Sequence, residues 1–243
     1  DIMKKYNYGS IILILIANAI IVGILQNIFD GNLSILGGFV TFISDYIICR
    51  GLLYKREGSF SEYFMGIKTI TGKAFLMNIL VGVITVILLM FALLISGAGF
   101  LFTPFAINNT RVLIIAVVLI ILITILLSLL FAYVNFFMAD ERYRDLPFFD
   151  TFMLILKTGL KLFKESLMAG LRTYKISLLT GLIALVTGIL SLKSPSGLIF
   201  TFLFGGIAAI AFFLCTPPFR ASLADIYEEN NEGFYSHTVE EDL

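Results

Sequence analysis

From Val112 to Ala139 the chain carries no charged side chain, and it then runs directly into Asp140-Glu141-Arg142-Tyr143-Arg144-Asp145. An uncharged apolar run of that length leaves few choices. A bilayer span takes roughly 20 apolar residues, and a helix in lipid satisfies every backbone N–H and C=O within itself. Comparable runs recur at about Ser10–Phe29, Leu33–Tyr54, Ala74–Ile95, Ile176–Leu192 and Leu198–Leu223. They set the composition: of 243 residues 59% are hydrophobic and 14% charged, with a mean hydropathy of +0.98. Soluble domains are about 45–50% apolar and about 25% charged. The expectation is an all-α polytopic membrane protein of six transmembrane helices, forming one integral membrane domain over residues 1–243. At about 20 residues the first run is longer than the apolar region of a signal peptide, so it reads as a span.

The connections are of two kinds. Asp30-Gly31-Asn32 and Lys193-Ser194-Pro195-Ser196-Gly197 read as turns. Phe100–Thr110, broken by Pro104, reads as a loop dipping into the far interface. Its Asn108-Asn109-Thr110 sequon has meaning only in a eukaryotic secretory setting, to which no other feature points. Two longer connections are too polar to cross a bilayer and keep helical spacing. In Ser59–Lys73, Phe60, Tyr63, Phe64 and Ile67 share one face, with Ser59 or Ser61 as a cap. After Pro147, the residues Phe149, Phe152, Met153, Leu156, Leu160, Phe163 and Leu167 form an apolar stripe, with Lys157, Lys161 and Lys164 opposite. Both segments are expected to be amphipathic helices lying in the interface. The lysine stripe is suited to contact with anionic lipid, each lysine adding about 1 kcal/mol near the surface, although it is also the ordinary sign of a cytoplasmic segment. In the sixth run Thr216-Pro217-Pro218 predicts a kink, and the acidic tail from Asp225 to Leu243 is expected to fray.

Orientation follows from the basic residues. With the N-terminus inside, Lys4, Lys5, the Arg50–Lys73 set, the Arg142–Lys175 set and Arg220 are cytoplasmic, while only Arg111 and Lys193 lie outside. That is the positive-inside asymmetry, and it puts both termini in the cytoplasm. The span ends also resemble one another: RGLLYKREGSFSEYF, ADERYRDLPFFDTF and LADIYEENNEGFY. Aligning Tyr54, Tyr143 and Tyr227 gives three tandem hairpins, at about residues 10–73, 74–175 and 176–230, the first two each followed by an interfacial helix. Asp45, Asn135 and Arg220 then fall nine, eight and seven residues before their tyrosines. Ionisable groups within a span usually face a bundle interior or a water-filled cavity. The three are therefore a candidate interior polar cluster, set against the plainer reading of a structural Asp45–Arg220 pair.

Catalytic signals are few. The single histidine, His237, sits in the acidic tail, and HExxH, GxSxG and Gly-rich phosphate loops do not occur. Asp140, Glu141 and Asp145 are interleaved with Arg142 and Arg144 around Tyr143, the pattern of a self-neutralised cytoplasmic junction and not of a metal site. Cys49 and Cys215 lie in apolar runs as buried thiols. A net charge of zero argues against a nucleic-acid partner. Neither cofactor nor metal is expected.

The strings Phe136-Phe137-Met138-Ala139-Asp140 and Pro218-Phe219, with the Ala139–Phe152 junction and Pro-Phe-Arg-Ala-Ser-Leu-Ala-Asp-Ile-Tyr near the end, carry a resemblance over most of the chain. It resembles bacterial integral membrane proteins related to the membrane domain attached to some glycerophosphodiester phosphodiesterases. The resemblance implies the fold; it covers no phosphodiesterase catalytic domain, so it does not imply that activity. A composition rich in Ile and Phe suits an AT-rich bacterial genome and hence a bacterial cytoplasmic membrane. The expected function is non-enzymatic: a transport-related or lipid- or amphiphile-interacting membrane module, or the membrane partner of another protein, in contact with lipids and open to self-association. The alternative is the permease-type subunit of an ABC exporter, for peptides or toxin self-protection, with an ATPase partner.

Overall fold

The computed structural model describes residues 5–28, 34–95, 110–191 and 197–240, and every regular element among them is helical. In chain order these are α1 (Tyr8–Ile28), α2 (Ser34–Tyr54), α3 (Phe60–Phe64), a 3-10 turn (Met65–Thr69), α4 (Gly72–Ile95), α5 (Thr110–Leu130) and α6 (Val134–Ala139). A second 3-10 turn (Glu141–Tyr143) follows, then α7 (Phe148–Lys161), α8 (Phe163–Thr173), α9 (Lys175–Ser191) and α10 (Gly197–Glu240). Five stretches among the described residues are long and apolar enough to cross a membrane: Tyr8–Ile28, Leu36–Tyr54, Gly72–Leu94, Val118–Ala139 and Leu198–Asn231. The pair Phe163–Thr173 and Lys175–Gly188, bent by 73°, makes a sixth if it counts as one broken span. The chain is that of a membrane protein. The expected turn at Asp30–Asn32, the loop at Phe100–Thr110 with its sequon and the turn at Lys193–Gly197 lie, apart from Thr110 and Gly197 at their edges, outside the described residues.

Two compact units emerge, Asp1–Thr69 with Lys164–Leu243, and Ile70–Phe163. In the first, α1 packs on α2 and α9 on α10, α10 touches both α1 and α2, and α3 rests against α1 and α2. In the second, α4 packs on α5 and α6, and α7 touches all three.

Burial is concentrated where spans end, not at their middles. Tyr46, Ile47, Ile48, Cys49 and Leu52 are buried near the end of α2. Tyr133 to Asp140 are buried throughout α6, and Ala221, Leu223, Ala224 and Tyr227 within α10. By contrast Ile20 and Ile24 on α1, Val86 and Met90 on α4, Leu179 and Leu182 on α9 and Phe202 and Ile210 on α10 are exposed. Apolar surface on that scale is stable only against something other than water.

Each departure from the expected segmentation has a local cause. The fourth span is broken at Phe131-Ala132-Tyr133. The amides of Ala132 and Val134 bond three residues back, to Leu129 (3.3 Å) and Phe131 (3.2 Å), instead of four, a tightened turn of the kind that ends helices. The break makes room for α7: a Cβ on Gly159 would first meet the Leu130 carbonyl. Ser59–Lys73 is not a single amphipathic helix. It is α3, the 3-10 turn and the start of α4, and the four aromatic and aliphatic residues do not share one fate. Tyr63 is buried while Phe60 and Phe64 are exposed and stacked at 5.8 Å, because Tyr63 fills the space above Gly51 on α2, where a Cβ would collide with its ring. The stripe from Phe149 to Leu167 is divided at Leu162 between α7 and α8. The helix α10 continues through Pro217 and Pro218 and on to Glu240. The two prolines remove two backbone donors without ending the helix, and the expected frayed tail is helical in backbone as far as that residue.

Gly159→Ala should therefore cost about 1–3 kcal/mol, the usual scale for overpacking a tight contact. Gly82→Ala, where no atom lies within 4 Å of the added carbon, should be neutral or slightly stabilising. Thermal unfolding of the two variants in one detergent separates them.

Candidate functional site

Asp45 on α2 and Arg220 on α10 meet inside the first unit. A guanidinium Nη2–H of Arg220 donates to Asp45 Oδ1 at 2.7 Å, and the two side chains are only 26% and 23% exposed. Both residues lie within spans. An unpaired charge at such a place is costly, whereas a hydrogen-bonded pair is tolerated and fixes how its helices meet. Close by, Tyr174 stacks on Phe212 (4.9 Å, 20°), meets Phe219 edge-on (5.1 Å, 60°) and donates to Thr216 Oγ1 at 3.3 Å. The turn of α10 that carries both prolines and Arg220 is thus clamped from the α8–α9 bend.

Asn135, the third expected member of the cluster, belongs to the second unit. It is buried on α6 and its Oδ1 accepts from Asn78 Nδ2 of α4 at 2.9 Å. Asp45 and Arg220 are thus brought together, while Asn135 has a partner on its own hairpin.

The charged junction after α6 is organised by two devices. Asp140 is buried, and its carboxylate accepts from the Arg142 backbone amide (3.0 Å) and from the guanidinium in a fork, Nε to Oδ1 at 3.0 Å and Nη2 to Oδ2 at 2.7 Å. Such bidentate, charge-assisted pairs are among the stronger hydrogen bonds. The Tyr143 ring is buried edge-on to Phe137 at 4.9 Å. The second device is Lys73, which the basic-residue count had treated only as a topological signal. Its Nζ donates to the carbonyls of Tyr143 (2.9 Å), Arg144 (3.4 Å) and Leu146 (2.7 Å). A lysine in the first turn of α4 opposes the helix dipole, and this collar of carbonyls offsets that cost. Its oddity at a span's N-terminus was the available signal.

Around the end of α2 the first unit is held by residues that spacing alone did not single out. Tyr6 donates to Asp225, and Arg56 pairs with Glu228 while lying over the Tyr6 ring at 5.8 Å. Burial first, then the bond to Asp225, raises the Tyr6 phenol well above its ordinary range. Burial alone would lower the Arg56 value, but Glu228 outweighs it and the net shift is upward. Asn7 caps α1 by accepting from Ser10 N (3.1 Å), and it and Ser10 Oγ both donate to the Gly58 carbonyl (3.0 and 2.9 Å). These contacts tie the start of α1 to the loop after α2.

Three faces can be distinguished on α7. Thr151, Leu154, Ile155, Thr158 and Gly159 are buried against the unit. Phe149, Leu160 and Met153 are 75%, 68% and 52% exposed, so the apolar stripe points away from the protein. Lys157 and Lys161 occupy an exposed edge between the two, and Lys164 is exposed on α8. Among the described residues, no group of three or more His, Cys, Asp or Glu side chains could hold a metal ion, and Cys49 and Cys215 are free thiols.

Breaking the intramembrane pair should be expensive. Asp45→Ala or Arg220→Ala alone should cost about 2–3 kcal/mol, because each leaves an unpaired, half-buried charge within a span. The double change to Leu should cost less than the sum of the single ones. A double-mutant cycle of unfolding in detergent reads both numbers.

Comparison of the chain with protein-family models, with characterised proteins and with solved structures finds no match.

Proposed function

We propose that this protein is a non-enzymatic membrane module that holds or passes on lipid or other amphiphiles at the cytoplasmic leaflet. On this reading it is a bacterial inner-membrane protein of the kind it resembles in sequence. Three tandem hairpins give six spans with both termini inside, and the α8–α9 pair supplies the start of the fifth. Support for the hairpins comes from α3 resting on both α1 and α2, and from α7 resting on α4, α5 and α6. Each of the first two hairpins is thus followed by a short helix laid across its end.

One observation carries the functional reading: the outward apolar face of α7 borders directly on its exposed lysines. In a soluble protein a helix turns its apolar stripe to the core. Here the core-facing side mixes Leu154 and Ile155 with Thr151, Thr158 and Gly159, while Phe149, Met153 and Leu160 look outward. That is the arrangement of a helix embedded at the depth of the headgroups, with lysine stems reaching along the apolar surface and ammonium groups in the headgroup layer. The Asp45–Arg220 pair, on the same reading, gates or braces the interior of the first unit.

The chain contains no tryptophan, so Phe149→Trp installs a single indole on the outward face. In vesicles containing lipids brominated along the acyl chain, its fluorescence should be strongly quenched and largely shielded from aqueous iodide. Quenching by iodide alone would refute the embedded helix. A reporter enzyme active only outside the membrane, fused after Leu243, should remain inactive; activity would overturn the proposed orientation.

A further inference from the structure

The Asp45–Arg220 pair leaves most of its hydrogen-bonding capacity unspent. Of the guanidinium N–H groups one, on Nη2, goes to Asp45 Oδ1 at 2.7 Å, and neither side chain makes another hydrogen bond among the described residues. Arginine and a carboxylate often join by two parallel bonds, as Arg142 does on Asp140. Here Asp45 Oδ2 and the Nε and Nη1 edge of Arg220 stay open.

Those atoms are not sealed inside the protein. Among the described residues the buried side-chain polar atoms without a partner are Asn18 Oδ1 and Thr158 Oγ1. The unspent atoms of the pair therefore reach the surface of the chain, in line with the partial exposure of both side chains. Yet both residues lie inside spans, with Asp45 nine residues before Tyr54 at the end of α2, or about 13 Å along the helix. Accessible charged atoms at such a depth face a polar partner or a water-filled path, not hydrocarbon.

The kind of partner follows from the charge. Among the described residues Asp45 is the carboxylate within reach of Arg220, so the pair is neutral as a whole and presents donors and an acceptor side by side. A lone anion would be drawn by Arg220 and repelled by Asp45, and a lone cation the reverse. A head carrying both signs satisfies both residues. Its phosphate meets the guanidinium edge, the usual partner of phosphate oxygens, and its ammonium meets Oδ2. Because Oδ2 gains most from an N–H donor, a primary ammonium fits better than a quaternary one.

The flank of the site is apolar. Phe212, Thr216 and Arg220 lie four residues apart on α10 and so share one face. Phe212 is 56% exposed, and its ring is held by stacking on Tyr174, whose hydroxyl donates to Thr216 Oγ1. An exposed, fixed ring on the face of a charged pair is what a ligand with a polar head and a hydrocarbon body requires.

We propose that the Asp45–Arg220 pair docks the headgroup of a zwitterionic phospholipid with a primary ammonium. Arg220 takes the phosphate, Asp45 Oδ2 takes the ammonium, and an acyl chain lies along Phe212. This deepens the proposed function by naming the class of amphiphile. It rests on that reading for a protein that draws headgroups below the membrane surface, and it is independent of α7 and its lysines.

The test uses the full-length protein in detergent, with bound lipids counted by native mass spectrometry during titration with phosphatidylethanolamine, phosphatidylcholine or phosphatidylglycerol. The parent protein should bind phosphatidylethanolamine about tenfold or more tighter than either of the others, the scale of one hydrogen bond to a charged group. Asp45→Asn keeps an oxygen for Arg220 but removes the charge, so the preference should pass to phosphatidylglycerol. Arg220→Lys keeps the charges but not the fork, and should weaken phosphatidylethanolamine binding about tenfold. The exchange Asp45→Arg/Arg220→Asp restores a neutral pair where a single variant folds poorly, and should again favour phosphatidylethanolamine. Equal binding of the three lipids by the parent protein would overturn the proposal, and so would an unchanged preference in Asp45→Asn. Competition by soluble glycerophosphoethanolamine as effective as that by the lipid would overturn the lipid assignment in favour of a free phosphodiester. Failure of the bromolipid quenching with the phosphatidylethanolamine preference present would strike the embedded α7 of the proposed function, whereas absence of the preference with quenching intact would strike this site alone.

Discussion

A backbone immersed in lipid has no water to fall back on, so every place where its helices break must bring its own hydrogen-bond partners. The described part of this chain is shaped by that constraint. The breaks occur after α2, before and after α6, and between α8 and α9, and polar side chains gather after α2 and after α6. Lys73 supplies three donors to carbonyls at and after the end of the second 3-10 turn, and Asp140 takes up the Arg142 amide. Asn7 and Ser10 satisfy Gly58. Between the breaks the helices look after themselves and leave apolar side chains outward. This explains why the best-buried residues lie at span ends, the reverse of a soluble bundle whose core runs along its middle.

Charge follows the same logic. A carboxylate inside a span survives only beside a cation, and the Asp45–Arg220 bond meets that condition. The pair joins α2 to α10, helices far apart in sequence, and so gives the first unit a specific register that oily surfaces alone would not. On the proposed reading, the two short helices that follow hairpins are the parts that meet the headgroup layer, and they do so differently. The outward face of α7 is broad and apolar with a lysine edge, whereas α3 offers the stacked rings of Phe60 and Phe64.

Much of this was legible in the sequence. Uncharged runs located the spans because lipid tolerates little else, and Asp45 and Arg220 stood out as ions among apolar neighbours. The Asp140–Asp145 knot was readable as a self-neutralising junction because carboxylates flank its two arginines, and the Asp140–Arg142 fork is one such pair. Other features were hidden for physical reasons. Hydrophobic periodicity reports an apolar face but not what it faces, so the stripe from Phe149 to Leu160 could equally have been core. The break at Phe131-Ala132-Tyr133 has no proline or glycine to announce it; its cause is Gly159, distant in sequence, against Leu130. Aligning the chain on its tyrosines grouped Asn135 with Asp45 and Arg220, yet the partner of Asn135 is Asn78, which no counting from tyrosines would single out. The buried Tyr143 and Tyr227 and the exposed Tyr54 show that equal spacing from a span end does not ensure an equal environment.

The central claim, that side chains stitch the helix breaks and so hold the span ends together, is most directly tested at Lys73. Hydrogen–deuterium exchange of the Lys73→Met variant, followed by mass spectrometry in a mild detergent, should show faster exchange over residues 140–147, with α4 and α5 as protected as in the parent protein. Parent-like protection across 140–147 would contradict the claim, because the three carbonyls would then have been held by something other than that lysine.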